Sequence, residues 1–138
     1  MKLFVDTSVW SLALRRDAPP DHPEITRLGD ALIRGENVFT TGLVLQDLLQ
    51  GFRGPQAAES IIERFAALPF VAPTRADHIE AAGLRNACRR RGVQVGTIDA
   101  LLASLCIAHD LVMRSTDRDF ARIAESASLA RWDRAPRT

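Results

Sequence analysis

The sequence is poor in cysteine, almost free of lysine, and without any long apolar run. Its two cysteines, Cys88 and Cys106, lack the spacing of a metal site, which predicts reduced, structural thiols. No apolar run approaches the length that spans a membrane, and Asp6 interrupts the first apolar stretch before a signal peptide could form. The sequence therefore predicts a cytoplasmic protein with no membrane partner.

The near absence of lysine leaves arginine to carry the positive charge. Lys2 is the only lysine among 18 basic residues. The planar guanidinium of arginine suits phosphate recognition, although a GC-rich genome would give the same excess. A glycine-rich phosphate-binding loop and a dinucleotide glycine fingerprint are both missing, which argues against those nucleotide-binding classes.

The length of 138 residues, with 46% hydrophobic and 25% charged residues, predicts one globular domain over residues 1–138. Short apolar segments predict strands at residues 2–5, 37–41, 68–73 and 111–115, with a fifth candidate at 128–132. Seven helices are predicted in addition to these strands. The first begins near Val9, the second presents Ile25, Leu28, Leu32 and Ile33 on one face and ends at Gly35, and the third ends at Gly51. The others cover residues 55–67, 75–91, 97–109 and 117–126. Alternating strands and helices predict an α/β fold, a parallel sheet of four to five strands with helices on both faces.

Asp47 is anomalous in the apolar helical segment VLQDLLQG, residues 44–51. Aspartate is a poor helix former and is costly to bury unless something pairs with it. We therefore expect another part of the chain to bring a partner to Asp47.

Three further aspartates lie where a parallel sheet would collect them. Asp6 ends the first strand, Asp117 follows the fourth, and Asp99 opens the apolar helix after residue 96. Ligands bind beyond the carboxyl ends of parallel strands, so this topology could gather these three acids with Asp47. Crowded carboxylates repel one another unless a cation holds them, and oxygen ligands alone favour Mg²⁺ or Mn²⁺.

Each acid also has an ordinary structural explanation. Asp6 can cap a helix, although Thr7 or Ser8 could do so instead, and Asp99 can interact with a helix dipole. Asp119 fits a capping box with Thr116, and a structural role is preferred for it. Asp117 could cap that same helix. The joint arrangement, and not any single acid, favours a metal site.

Four stretches resemble the PIN-domain ribonucleases, and most closely the VapC-type toxins of bacterial toxin–antitoxin pairs. These stretches are FVDTSVW, TTGLVLQDLLQG, GTIDALLASLCIA and RSTDRDFARIA, and the resemblance spans about residues 2–132. It implies that Asp6, Asp99 and Asp117 are metal-site acids, with Asp119, Thr7 and Thr116 peripheral. Asp47 stands where the family usually has glutamate, the one departure in the core set.

The resemblance implies Mg²⁺-dependent hydrolysis of RNA, with Mn²⁺ as a substitute, by a homodimer that a cognate VapB-like antitoxin inhibits. Asp6 and Asp99 would be the main ligands, while Asp117 and Asp47 would bind a second ion or orient water. Asp47 is a methylene shorter than glutamate, so it is expected to act through a water.

Arginines near the acids are candidates for RNA phosphate contacts. The thirteen acids outside the predicted site oppose eighteen bases, which leaves five positive charges in excess. The candidates are Arg89, Arg90, Arg91, Arg114 and Arg118, although each could be ordinary surface charge.

Two other functions compete with a ribonuclease. A phosphatase of the haloacid dehalogenase type would need an aspartate two positions after Asp6, and Ser8 occupies that position. A non-catalytic PIN-like module that binds RNA or regulates is supported only by the replacement of glutamate by Asp47.

Overall fold

The computed structural model describes residues 2–15, 17–19 and 21–127. Contacts divide the chain into two compact units, Met1–Ala72 and Pro73–Thr138, which are described in turn. Among the described helices, none is both long and apolar enough to cross a membrane.

The first unit combines a parallel strand pair with four helices. Its elements are β1 (Lys2–Val5), α1 (Thr7–Leu14), α2 (Pro23–Ile33), β2 (Asn37–Phe39), α3 (Gly42–Gly51) and α4 (Pro55–Ala66). β1 and β2 pair in parallel, with Leu3 opposite Val38 and Phe4 opposite Phe39. Leu3, Phe4 and Val5 are fully buried, as expected of a parallel strand that is covered on both faces.

The predicted strand at residues 68–73 is reduced to an isolated parallel bridge between Thr40 and Phe70. The Thr40 N–H donates to the Pro69 carbonyl at 3.0 Å, and the Val71 N–H donates to the Thr40 carbonyl at 2.8 Å. Pro69 has no N–H to extend such a ladder. The prediction of four to five strands is therefore wrong for the described residues, which contain three. The candidate strand at 128–132 lies outside them.

The second unit is built around one buried helix. Its elements are α5 (Arg75–Arg90), α6 (Thr97–Ala108), β3 (Val112–Arg114) and α7 (Arg118–Ser126). Every residue of α6 from Ala100 to Cys106 is buried, and α5, β3 and α7 all contact this helix. A helix that is apolar all round is typical of a core position. Cys88 and Cys106 lie buried in α5 and α6, and neither is part of a disulfide.

Two predicted helix ends are confirmed by glycines in the left-handed region. Gly35 follows α2 with a φ of 70°, and Gly92 follows α5 with a φ of 78°. A side chain with a Cβ rarely adopts this conformation, so glycine ends the helix at little cost.

The predicted apolar face of α2 is only partly correct. Leu28 is 3% exposed, whereas Leu32 and Ile33 are 43% and 86% exposed. The buried side chains are Glu24, Leu28 and Ala31, spaced by four and three residues. Burial therefore follows a different stripe from the one that the apolar residues suggest.

A reciprocal cap begins α5 and leads to a pH-dependent stability prediction. The Thr74 N–H donates to Asp77 Oδ2 at 2.8 Å, and the Asp77 N–H donates to Thr74 Oγ1 at 3.3 Å. The bond from the Thr74 N–H, together with the Thr74 hydroxyl and nearby His109 and His78, holds the pKa of Asp77 below its ordinary value of 3.8. A depressed carboxyl pKa stabilises the fold above the unfolded pKa and loses that effect as the pH falls through the folded one.

Replacing Asp77 by alanine should therefore lower the free energy of unfolding by about 1 kcal/mol at neutral pH. The difference from the parent should shrink as the pH falls below about 4, because the parent carboxyl then becomes protonated. Urea unfolding across this pH range measures both effects, with Glu80→Ala on the exposed surface of the same helix as the control. A difference that stayed constant down to the lowest pH would contradict the role of the ionised cap.

Candidate metal centre

Asp6 lies between the end of β1 and the start of α1, in a buried position. It is 7% exposed and occupies the N-cap position of α1, but its side chain does not cap the helix. Instead, the Ser8 hydroxyl donates to Asp6 Oδ2 at 3.0 Å. The carboxylate is therefore held in place without being used as a helix cap, so its position agrees with a ligand role better than with the capping alternative.

Asp47 is connected to the start of α1 through Thr7. The Thr7 hydroxyl donates to Asp47 Oδ2 at 3.3 Å, which joins the first residue of α1 to the middle of α3. Thr7 directly follows Asp6, so the first unit brings the two predicted acids to neighbouring positions. The interpretation of Asp47 as a buried carboxylate is wrong, because its side chain is exposed. Val44 and Leu48 form the buried side of α3, and Asp47 lies outside that stripe.

Asp99, Asp117 and Asp119 form a carboxylate cluster in the second unit. One oxygen from each side chain lies within 4.8 Å of the other two. Asp99 and Asp119 are half-buried, and Asp117 is exposed. Asp119 was expected to have a peripheral, structural role, but one of its carboxylate oxygens lies within the same 4.8 Å of Asp99 and Asp117.

The helix after this cluster is capped by Asp117 and not by Thr116. The Asp119 N–H donates to Asp117 Oδ1 at 2.9 Å, and the Asp117 N–H donates to the Ser115 hydroxyl at 2.9 Å. The predicted capping box of Thr116 with Asp119 is therefore wrong. Because a carboxylate has about four acceptor positions, one cap bond leaves Asp117 able to bind a cation as well.

The chemistry of this cluster fits a hard divalent cation. Three carboxylates supply oxygen ligands at a spacing that one ion could bridge, and no cysteine or histidine takes part. Mg²⁺ keeps several waters and needs only one or two carboxylates, while Mn²⁺ accepts the same oxygen ligands. Arg122 Nη1 lies 3.9 Å from Asp119 Oδ1 on an exposed helix face, a contact too long and too solvated to neutralise the group.

The predicted arginines differ in their access to solvent. Arg118 and the three residues at the end of α5, Arg89, Arg90 and Arg91, are exposed. Arg114 is 2% exposed at the end of β3, so it is not available for surface contacts with RNA phosphates.

Sequence reasoning missed the contacts of two hydroxyls with these acids, and it did not single out one arginine of the second unit. The Ser8 hydroxyl donates to the Asp6 carboxylate, and the Ser115 hydroxyl accepts from the Asp117 N–H. Each bond spans a single intervening residue. Such local bonds are common for serine, and the DTS and STD segments were the available signals. Arg85 was not singled out, and its Nε donates to the Val95 carbonyl at 2.8 Å.

Residues 3–126 match the family model of the PIN domain. The chain belongs to the PIN domain family. The five aspartates described above, Asp6, Asp47, Asp99, Asp117 and Asp119, lie inside the matched residues. No curated protein matches the chain.

Several solved toxin–antitoxin structures share the fold. VapBC2 from Rickettsia felis, bound to a DNA fragment from its promoter, aligns with a TM-score of 0.76 at 19% identity over 96% of this chain and 98% of that one. VapBC-1 from nontypeable Haemophilus influenzae aligns with a TM-score of 0.75 at 14% identity, over 96% of this chain and 97% of that one. Mycobacterium tuberculosis VapC20, a toxin that cleaves the sarcin–ricin loop, aligns with a TM-score of 0.65 at 19% identity, over 94% of this chain and 99% of that one.

Proposed function

We propose that this chain is a Mg²⁺-dependent endoribonuclease and the toxin of a VapBC-type toxin–antitoxin pair. The observation that carries the proposal is the cluster of Asp99, Asp117 and Asp119 within a PIN domain. A fold shared with toxins supports the class, and the carboxylate cluster supports catalysis over a purely structural role. Mn²⁺ is expected to substitute for Mg²⁺, since both accept oxygen ligands.

The family resemblance adds Asp6 and Asp47, both in the first unit, to the proposed site residues. Asp6 ends a parallel strand, where ligands bind in sheets of this kind, and its carboxylate is not used as a helix cap. Asp47 is tied to the adjacent residue, Thr7, and is exposed. Its exposure agrees with an indirect role, in which Asp47 orients a water and does not bind the ion directly.

In the proposed reaction, the side chains of the site would bind the ion and hold its ligands in position. A bound divalent ion would stabilise charge on the scissile phosphate and acidify a water for in-line attack. Asp99 and Asp119 would hold that ion. Asp6 is proposed as a further ligand from the family resemblance alone, and Ser8 would keep its carboxylate in position. Asp117 would contribute to the site while capping α7, which ties its carboxylate to a rigid helix.

The proposed partners are RNA, a cognate antitoxin and a second copy of the chain, in the cytoplasm. The solved VapBC2 structure from Rickettsia felis and VapBC-1 structure from Haemophilus influenzae are toxin–antitoxin complexes, which supports an antitoxin as a partner. The substrate class is supported by VapC20, whose target is the sarcin–ricin loop.

Purified protein, freed of any antitoxin, should cleave structured RNA in the presence of Mg²⁺ or Mn²⁺. EDTA should stop the cleavage and added Mg²⁺ should restore it, because the carboxylates alone offer no Lewis acid to stabilise negative charge on the phosphate oxygens. Gel analysis of the RNA fragments measures both. Cleavage that persisted in EDTA would overturn the metal dependence. RNA binding without cleavage at any metal concentration would favour the non-catalytic PIN-like module.

A further inference from the structure

The second unit contains a small pocket with two arginines at its wall. The pocket has a volume of about 270 Å³ and lies between the end of α5 and the loop that follows it. Its lining residues are Arg85, Arg89, Val93, Gln94 and Val95. Neither the carboxylate cluster nor the proposed reaction uses this pocket.

Arg85 fixes the far wall of the pocket. Its Nε donates to the Val95 carbonyl at 2.8 Å, which ties the loop to α5. The Arg85 side chain is half-buried, so its position is well restrained. The remaining N–H groups of this guanidinium are still donors, because an arginine carries five of them.

Arg89 lies one helical turn after Arg85, on the same face of α5. Residues four apart on a helix are neighbours, so the two guanidiniums share one wall. In the part of the chain that the structure describes, neither forms an ion pair with a carboxylate. Two positive charges therefore line the wall without an ion-paired carboxylate among the described residues, an arrangement that suits an anion with several acceptor oxygens.

The pocket is close in the chain to the carboxylate cluster. Val95 in its wall precedes Gly96, and a Cβ added at Gly96 would lie 4.0 Å from Asp99 Oδ2. Asp99 is four positions after Val95, so their Cα atoms are at most ~14 Å apart. An RNA strand with its scissile phosphate at Asp99 could place a phosphate in the pocket within a few nucleotides.

We propose that Arg85 and Arg89 form a subsite for a backbone phosphate of RNA, a few nucleotides from the scissile bond. This inference rests on the proposed function, because it takes the strand to run past Asp99. Arg85 positions the loop and also donates hydrogen bonds to the phosphate. Arg89 donates to the phosphate from the exposed rim. The proximity to the acids favours RNA over an acidic protein segment, since the substrate backbone must cross this region.

The test measures RNA binding in EDTA, where the proposed cleavage does not interfere. The probe is a short single-stranded RNA labelled with a fluorophore, and its anisotropy is followed at several salt concentrations. Arg89→Gln should weaken binding roughly 5-fold, as expected for one lost charge-assisted contact on an exposed surface. The slope of log affinity against log salt should fall by about 0.7, the value for one phosphate on a single strand.

Arg75→Gln is the matched control. It removes the same charge from the same helix but lies about 20 Å away along the axis, at the other end of α5. Arg89→Lys keeps the charge without the planar fork, so it should retain most of the salt slope with weaker binding. Thermal unfolding of each variant checks that the fold is intact.

The outcomes separate this proposal from the function on which it rests. Equal losses for Arg89→Gln and Arg75→Gln would overturn the subsite, because they would reflect net charge alone. Unchanged affinity and unchanged salt slope for Arg89→Gln would also overturn the subsite. An acidic protein segment would then be the remaining candidate to bind in the pocket. If Arg89→Gln alone loses affinity while the parent never cleaves RNA, the subsite stands and the nuclease assignment fails.

Discussion

Replacing Asp99 by asparagine should lower the rate of RNA cleavage by about 10³-fold while leaving the fold intact. A carboxylate that holds the cation contributes several kcal/mol of transition-state stabilisation, and each 1.36 kcal/mol is worth about tenfold in rate. Asparagine keeps the size of the side chain, and Asp99 is only half-buried in the first turn of α6. The measurements are single-turnover cleavage of a labelled RNA, Mn²⁺ affinity by calorimetry, and the midpoint of urea unfolding.

The control for this variant is Asp110→Asn, just beyond the other end of α6. Asp110 is exposed and has a φ of 56°, a conformation that asparagine tolerates well. The two variants lose the same charge at opposite ends of one helix. We expect near-parental cleavage and Mn²⁺ binding from Asp110→Asn. Cleavage by Asp99→Asn at the parental rate would remove Asp99 from the metal site.

The helices were predictable from the sequence because their local signals agree. Gly35 and Gly92 end two helices, and the apolar run of α6 reads directly as a buried element. The third predicted strand failed because its apolar pattern says nothing about partners. Pro69 limits its backbone hydrogen bonds, and only the bridge to Thr40 forms.

The candidate site was predicted as a set of residues but not as a geometry. A carboxylate near a helix start can be a cap, a ligand or both, and sequence spacing does not separate these roles. Asp117 caps α7 and still lies with Asp99 and Asp119, whereas Thr116, which fits the capping pattern, is not the cap. Tertiary placement decides such cases, because a capping bond uses only part of what a carboxylate can accept.

Asp47 shows why burial was hard to predict from neighbours. It lies in a leucine-rich segment with Leu45, Leu48 and Leu49, which suggested a buried acid in need of a partner. Along α3, Val44 and Leu48 form the buried stripe, and Asp47 falls beside it. The partner exists nonetheless, as the Thr7 hydroxyl, and it directs the exposed carboxylate toward the residue next to Asp6. The anomaly in the sequence therefore marked a real contact for a reason other than burial.

Replacing Phe65 by alanine should destabilise the protein by about 3–5 kcal/mol, the usual loss for a phenylalanine in a packed core. Phe65 is 1% exposed on α4, and its ring centroid lies 5.0 Å from that of Trp10 on α1, at an angle of 54°. Trp10 is itself only 3% exposed and belongs to the same core. The tilted ring pair adds to the loss, because such contacts stabilise beyond the area that they bury.

Urea unfolding measures this loss, with Phe65→Leu as the control that keeps most of the apolar volume. The leucine variant should lose less than about 1.5 kcal/mol if its neighbours repack around the smaller side chain. A shift in the unfolding midpoint without a change in slope would show a true change in stability. Equal losses for both variants would assign the effect to the aromatic pair, and a loss below about 1 kcal/mol for alanine would contradict the packed core. Because α1 begins at Thr7, directly after the proposed ligand Asp6, a loosened contact between Trp10 and α4 should also weaken Mn²⁺ binding under conditions where the variant remains folded.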